Sequence, residues 1–325
     1  MWKKWLPDRF TWMLLAAIAL ASFLPARGWA APVFSHLTDV AIAMLFFLHG
    51  LKLSRREVLA GITHWRLHLL ILGSTYVLFP LMGLAFRPLL EPLVTPDIYV
   101  GVVFLCMVSS AVQSSIAMTS MGRGNVSAAI CSASGSNLLG VFVTPLLVAM
   151  LMSSGHHGVS WHAVGEVVLL LLLPFVIGLC GQRWLGGMVK QHPAVVSLFD
   201  QGSIVLIVYT AFSASVVAGL WQHTPLPVLG GLLAICALFL SVALVVTCLG
   251  ARLLGFNKED EITIVFCGSK KSLAAGAPMA KVLFASSAFG AMLLPVMIYN
   301  QMQIMVGAFI ARHYAKRKTV RRTVQ

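Results

Sequence analysis

Charged residues are scarce in this chain of 325 residues, at 10% of the sequence, whereas hydrophobic residues make up 59%. Soluble domains carry about 25% charged and about 45–50% apolar residues, so this composition excludes an ordinary soluble protein. The six cysteines show no CxxC spacing, which excludes a disulfide scaffold and gives no metal site. A P-loop, a G-x-G-x-x-G fingerprint and a nucleophile elbow are also missing from the sequence. We therefore expect neither an ATP-driven pump nor an enzyme.

Long apolar stretches are what the chain does contain. A helix that crosses a bilayer needs about 20 mainly apolar residues, and these stretches lack the alternation of barrel strands. The sequence predicts a single all-α polytopic membrane domain over residues 1–325, with ten transmembrane helices and the lipid bilayer as its surroundings. The ten predicted spans lie roughly at 10–27, 34–53, 67–87, 97–121, 125–152, 162–183, 196–220, 227–251, 260–282 and 288–313. The breaks between them are predicted where Pro, Gly and charged residues cluster, as at Gly186-Gly187 after the sixth span.

Basic residues outnumber acidic ones by 23 to 10, for a net charge of +13. Eighteen of them fall on one side of the predicted membrane and three, Arg27, Arg87 and Lys281, on the other. The remaining two, Lys270 and Lys271, fall within it. Because Lys and Arg concentrate in cytoplasmic loops, we expect both termini in the cytoplasm, with a basic tail over 314–325. The positive charge thus reflects topology, and no nucleic-acid partner is expected.

The ten spans divide into halves of five, at approximately 10–152 and 162–313, and a repeat with an odd number of spans inserts upside down relative to its twin. Asp39 opens the second span and Asp200 the seventh, as helix caps or as gating acids. A polar run around Gln113 follows the first Asp, and one around Lys270 follows the second. We therefore predict an inverted repeat. The first span also resembles a signal peptide, and its cleavage would leave nine spans.

Two polar runs at membrane depth form the candidate binding site. The fourth span carries Ser109, Ser110, Gln113, Ser114 and Ser115 within eight residues, and the ninth carries Ser269, Lys270 and Lys271 after an Asn257 cap. One lysine at the bilayer centre costs about 2.5–3.5 kcal/mol on insertion scales, so the lysines are predicted to face a water-filled cavity lined by broken helices. Supporting polar groups of the fifth and tenth spans are Ser134, Asn137, Asn300 and Gln301.

Three motifs carry a family resemblance: residues 48–51 (LHGL), residues 114–119 with 124–126 (SSIAMT and GNV), and residues 262–274 (ITIVFCGSKKSLA). They resemble the bacterial branch of the bile acid/sodium symporter-like family, which is similar to the seventh mammalian member of solute carrier family ten. The resemblance implies ten helices in two inverted five-helix repeats, in the bacterial inner membrane. Helices one, two, six and seven would form a panel, and the others a core in which helices four and nine unwind and cross. A monomer satisfies this architecture.

The resemblance also implies a sodium site, and here the sequence departs from the family. The Glu and Gln of the ninth-helix motif fall on Val265 and Ser269, and the following Asn falls on Lys270. We hypothesise that Lys270 or Lys271 supplies the positive charge that sodium provides elsewhere, helps bind an anion and exchanges a proton. The rival is a rearranged sodium site that includes Gln113, Ser114, Ser115 and Ser134. Sodium and the proton therefore both stand as coupling ions, and no other cofactor is expected.

The function expected from these features is secondary active transport of a small organic anion by alternating access. The bile acid preference of the family does not carry over, because the ion site that accompanies it is missing. The alternative is a membrane regulator of ion homeostasis or envelope assembly that has the same fold and carries nothing. Flux into proteoliposomes separates the two.

Overall fold

The computed structural model describes residues 9–52, 64–152, 165, 168–219, 225–284 and 289–316, and all regular structure within them is helical. The basic tail beyond residue 316 and the lysines at positions 3 and 4 lie outside these residues. One π-helical turn, Ser74–Leu78, lies inside the helix Trp65–Ala85, and another, Val168–Leu172, precedes the helix Leu173–Gln191. The helices are α1 Arg9–Phe23, α2 Ala30–Lys52, α3 Trp65–Ala85, α4 Arg87–Leu90, α5 Pro96–Met107, α6 Val112–Met121, α7 Val126–Met152, α8 Leu173–Gln191, α9 Pro193–Val217, α10 Leu226–Leu253, α11 Lys258–Gly268, α12 Leu273–Leu283 and α13 Phe289–Ala315.

Seven helices of the described residues are long and apolar enough to cross a membrane: α2, α3, α7, α8, α9, α10 and α13. The pair α5 and α6, bent by 61° at a short break, brings the number to eight. Large apolar side chains such as Leu69, Met150 and Phe309 lie more than half exposed on these helices, as expected where lipid replaces water. The predicted all-helical polytopic membrane protein is therefore confirmed.

Two of the ten predicted spans do not reach that length in the structure. The apolar helix within α1 is short, Trp12–Phe23. The predicted ninth span is divided into α11 and α12, because the chain leaves the helical conformation between Gly268 and Leu273. The Asn257 cap at the start of α11 is confirmed, since its side chain accepts a hydrogen bond from the Asp260 backbone N–H at 2.8 Å.

The boundary between the sixth and seventh spans differs from the prediction. Gly186 and Gly187 do not end a helix, and α8 runs through both of them to Gln191. Helix α9 begins at Pro193, where the missing proline N–H is no loss because the first N–H groups of a helix lack intrahelical partners. The proline, rather than the glycine pair, therefore sets the turn.

Four helices pack as one group, which we call the four-helix group: α2 lies against α8 and α9, and α1 lies against α9. Helices α2 and α8 approach at two glycines. A Cβ on Gly50 would overlap the Phe175 carbonyl oxygen, and one on Gly178 would overlap the Phe47 carbonyl oxygen. Such small residues allow helix backbones to approach closely in a membrane. Among the remaining helices, α13 contacts α5, α6, α10 and α12, and it also contacts α9 of the four-helix group.

Candidate functional site

Two interruptions of helices meet inside the protein. The first break, residues 108–111, separates α5 from α6, and the second break, residues 269–272, separates α11 from α12. The backbone at both ends of the first break is extended, with φ −71° and ψ 148° at Val108 and φ −74° and ψ 123° at Ala111. Serine hydroxyls favour such departures, because they compete with the backbone for hydrogen bonds. The predicted interruption of the fourth span is therefore confirmed.

Hydrogen bonds connect the two breaks directly. The Ser272 backbone N–H donates to the Ser109 carbonyl at 2.8 Å. The Ser110 hydroxyl donates to the Cys267 carbonyl at 2.6 Å, and the Ser115 hydroxyl donates to the Phe266 carbonyl at 3.2 Å. Away from water, an unpaired backbone group costs several kcal/mol. The serines of the fourth span thus satisfy carbonyl groups at the end of α11.

Lys271 lies at the centre of this arrangement and is 1% exposed. Its ammonium donates to the carbonyl oxygens of Thr75, Cys106 and Val108 at 2.8, 2.8 and 2.9 Å. It also lies 4.1 Å from the centre of the Phe79 ring, within cation–π range. An ammonium has three hydrogens to donate, so these carbonyls use all of them. The negative end of the α5 dipole adds to the attraction.

The Thr75 carbonyl is available to Lys271 because of a proline. In the π-helical turn the Phe79 N–H donates to the Ser74 carbonyl, five residues earlier. The next donor in that pattern would be residue 80, which would donate to the Thr75 carbonyl. Residue 80 is proline and has no N–H. The carbonyl left unpaired by Pro80 therefore receives the lysine.

Neighbouring side chains hold the second break in place. The Gln303 side chain accepts from the Lys271 N–H at 2.7 Å and donates to the Lys271 carbonyl at 2.8 Å. Tyr299 donates its hydroxyl to the Ser269 carbonyl at 2.8 Å, and Ser74 donates to the Gly268 carbonyl at 2.8 Å. Helices α13 and α3 therefore fix the unwound backbone from two sides.

Lys270 is equally buried, at 1% exposure, but it has fewer partners. Its ammonium donates to the Ser114 carbonyl at 3.1 Å and lies 5.7 Å from the centre of the Phe266 ring. A Cβ at Gly307 would lie 3.3 Å from the Lys270 Nζ, so α13 passes close to the ammonium. Neither lysine forms an ion pair with a carboxylate of the described residues. The Ser114 hydroxyl, next to the carbonyl that binds Lys270, is buried and has no hydrogen-bond partner among the described residues.

A cavity of about 280 Å³ lies beside the breaks, between the four-helix group and α6, α7 and α12. Of the predicted site residues, it brings together Gln113, Ser134, Asn137 and Asp200. The cavity is also lined by residues that were not predicted from the sequence, which are Phe46, His49, Lys52, Val112, Leu138, Val141, Phe175, Ala274 and Ala275.

The other predicted site residues do not line this cavity, and these include Lys270 and Lys271, which the sequence predicted to face one. Ser109, Ser110, Ser115 and Ser269 are buried around the breaks, as are the two lysines, and Ser109 donates to the Asn137 side chain at 2.9 Å. In α13, Asn300 accepts from Gln303 at 3.1 Å, and Gln301 is half-buried. The structure therefore separates the predicted set into residues that line the cavity and residues that surround the lysines.

Both aspartates singled out in the sequence form ion pairs. Asp200 pairs with Lys52 at 2.5 Å, which joins α9 to α2 inside the four-helix group. Asp39 pairs with Lys281 at 2.5 Å, which joins α2 of the four-helix group to α12, outside that group. Lys281 also donates to the Ser35 carbonyl at 2.8 Å. Neither aspartate caps its helix, because α2 and α9 begin at Ala30 and Pro193, well before the acids.

His49 and Lys52 are the functional candidates that the sequence did not reveal. A lone histidine in an apolar helix looks the same in sequence whether it packs in a core or lines a cavity. Its only signal was its place in the LHGL motif at residues 48–51. Lys52 stands at the end of α2, where a basic residue is expected for topology alone.

The sequence of this chain is similar to those of several known proteins. The model of the SBF-like CPA transporter family matches residues 8–316. Protein PA2026 of Pseudomonas aeruginosa is 56% identical over 316 residues, which cover 97% of this chain and 95% of the relative. The Escherichia coli (strain K12) protein named "Putative symporter YfeH" is 50% identical over 312 residues, 96% of this chain and 94% of the relative. Sodium/bile acid cotransporter 7 of Rattus norvegicus is 26% identical over 303 residues, 91% of this chain and 89% of the relative.

Proposed function

The chain belongs to the SBF-like CPA transporter family, and on that premise we propose that it is a secondary active transporter of a small organic anion. It works by alternating access, in which the broken helices and their neighbours move against the four-helix group. The cavity between these two bodies is the observation that carries the proposal. Its volume of about 280 Å³ is just below the range of ligand pockets, which runs from about 300 to 1,000 Å³. The substrate is accordingly small.

The full architecture belongs to the same proposal. It has ten spans in two inverted halves, 10–152 and 162–313, with both termini in the cytoplasm and the protein in the inner membrane. One interruption in each half supports the repeat, as does one ion-paired aspartate in each half, Asp39 and Asp200. In transporters built from inverted repeats, discontinuous helices meet near the midplane and form the site.

The two lysines take the place of a bound cation. Three carbonyl oxygens around the Lys271 ammonium support this role, because carbonyls at interrupted helices are the groups that hold a coupling ion in related architectures. Lys271 has no hydrogen left to offer a substrate. Lys270, with one hydrogen bond, is the lysine that remains able to attract an anion when the two bodies move.

Uptake into proteoliposomes tests this proposal. The purified protein is reconstituted and offered radiolabelled acetate, succinate, benzoate and taurocholate, with an inward sodium gradient or with potassium in place of sodium. We expect uptake of at least one of the three smaller anions without a sodium requirement, and reduced uptake in Lys270→Met. Uptake that follows a sodium gradient would support the rearranged sodium site that includes Gln113 and Ser134.

A non-transporting regulator predicts a different result in the same vesicles. None of the four anions would enter faster than into protein-free vesicles, at any sodium concentration or pH. A sodium titration of thermal stability gives an independent reading, since a ligand that binds only the folded state raises Tm. We expect sodium and potassium chloride to give the same Tm.

A further inference from the structure

We infer that His49 is the proton-binding residue that couples this transporter to a proton gradient, through the charge that it adds to the cavity. The inference rests on the proposed function, because it concerns how the anion and the driving ion bind together. It assigns a role to a side chain outside the two lysine-bearing breaks. Three observations carry it: the position of His49, the orientation of its ring, and the charges that surround it.

His49 lies on α2 and lines the cavity between the two bodies. Its Nδ1 lies 2.8 Å from the Leu45 carbonyl oxygen, one turn earlier in the same helix. A carbonyl only accepts hydrogen bonds, so Nδ1 carries the hydrogen in the neutral ring and Nε2 carries the lone pair. Histidine is the side chain whose charge ordinarily changes between about pH 5 and pH 8. The ring therefore has one nitrogen held by the helix and one available to bind a proton.

The charged neighbours of His49 cancel one another. The same cavity is lined by Lys52, on α2, and by Asp200, on α9, and the two form an ion pair at 2.5 Å. Among the described residues that line the cavity, α6, α7, α8 and α12 contribute no titratable side chain. With His49 neutral, the cavity therefore has no net charge and little attraction for an anion.

One atom of the ion pair lacks a partner. The Oδ1 of Asp200 is buried and accepts no hydrogen bond from the described residues, although Oδ2 is bound by Lys52. A buried carboxylate oxygen without a donor is costly, so the site is incomplete in this state. A proton on His49 places a positive ring in the same cavity as this carboxylate and offsets part of that cost.

The consequence is a stoichiometric link between proton and anion. Binding one proton to Nε2 gives the cavity a net charge of +1, and one anion neutralises it. Release of the anion to the other side leaves the positive ring without its counter-charge, and the proton then follows. One proton and one monovalent anion therefore cross together.

Charge-selective labelling of the cavity measures this charge directly. A cysteine is placed at Ala274, which lines the cavity on α12, in a Cys180→Ser background because Cys180 is exposed. Its modification rate is measured with a negatively charged sulfonatoethyl methanethiosulfonate and with a positively charged trimethylammonioethyl methanethiosulfonate, at about pH 5 and about pH 8. The ratio of the two rates cancels the thiolate fraction, which affects both reagents equally. Protein without the Ala274→Cys change gives the background from the other native cysteines.

We expect the anionic-to-cationic rate ratio to rise about tenfold from the higher to the lower pH, since one added charge attracts one reagent and repels the other. The rise should disappear in His49→Gln and remain in His36→Gln, which removes an exposed histidine of the same helix that does not line the cavity. A ratio that does not change with pH in the protein with native His49 would overturn the inference, even if His49→Gln failed to fold. A rise that persists in a folded His49→Gln protein would also overturn it.

Uptake measurements keep this inference separate from the proposed function. If one of the smaller anions enters vesicles equally fast with and without an inward proton gradient, transport stands and the role of His49 is wrong. If no anion enters under any condition but the labelling ratio still follows His49, the proposed transport is wrong while the charge change in the cavity stands.

Discussion

Replacing Lys271 with methionine should destabilise the protein far more than the same replacement of Lys270. Both lysines are 1% exposed, so removing either ammonium relieves a similar desolvation cost. Their hydrogen bonds differ, because Lys271 donates to three carbonyls and Lys270 to one. A buried acceptor left without a donor costs about 1–3 kcal/mol, so the two additional carbonyls amount to about 2–6 kcal/mol. The Phe79 ring is closer to Lys271, at 4.1 Å, than the Phe266 ring is to Lys270, at 5.7 Å, so the cation–π contacts widen this difference by at most about 1 kcal/mol.

The assay is the thermal midpoint of detergent-solubilised protein, read by the fraction that stays monodisperse after heating. Lys271→Met should lower Tm by several degrees more than Lys270→Met. A second variant, Lys271→Ala, leaves a space lined by three carbonyls, and ethylammonium chloride should restore part of its Tm while having no effect on Lys270→Ala. Equal losses of Tm in the two methionine variants, or a Lys271→Ala protein indifferent to ethylammonium, would refute the role of Lys271 as a built-in cation.

Three further substitutions test other contacts, each by the same thermal assay. Gly178→Ala should lower Tm markedly, because the added Cβ would overlap a carbonyl of α2. The control Gly202→Ala, in α9, meets nothing within 4 Å, so it should leave the stability of the protein unchanged or raise it by up to about 1 kcal/mol. Asn257→Ala removes the α11 cap and should cost about 1 kcal/mol, and equal stability to the native protein would argue against the cap. Asp39→Lys alone should lower Tm, because it replaces the ion pair with Lys281 by two positive charges. Adding Lys281→Asp should recover most of the lost Tm. A double variant no more stable than the single one would exclude a pairwise contact.

The helices were predictable because lipid demands long apolar segments, and the interruption of the fourth span was predictable because five of eight residues there are polar. The orientation of Lys271 was not. In a helix, spacing determines which side chains share a face, but residues 269–272 are unwound and follow no period. Its partners Thr75 and Cys106 are also far away in sequence. The carbonyl that Pro80 leaves unpaired becomes meaningful only once the π-helical turn is seen.

The cavity was harder to predict than the breaks for the same reason. Gln113, Ser134 and Asn137 were selected as polar residues at membrane depth, and each lines the cavity. His49 and Lys52 complete it only because α2 lies against α9, which brings Asp200 from about 150 residues away. No local pattern contains that contact. The polar residues of a membrane helix can therefore be listed from sequence, but the charge that they add up to depends on which helices meet.

A cation that is part of the chain changes what can drive transport. A sodium ion bound between interrupted helices can enter from one side and leave on the other, and its gradient then does work. The Lys271 ammonium occupies a comparable set of carbonyls but is held by a covalent bond, so it can hold the breaks together without being released. A concentration gradient acts only on a species that crosses. Because three carbonyls use all the hydrogens of the Lys271 ammonium, we propose that the driving ion binds elsewhere and not as a proton exchanged by this lysine. Among the described residues that line the cavity, His49 is the group that can gain a charge near neutral pH and lose it again. In the mechanism that we propose, the lysine in the second break has the structural role of the cation and the histidine in the cavity has its energetic role.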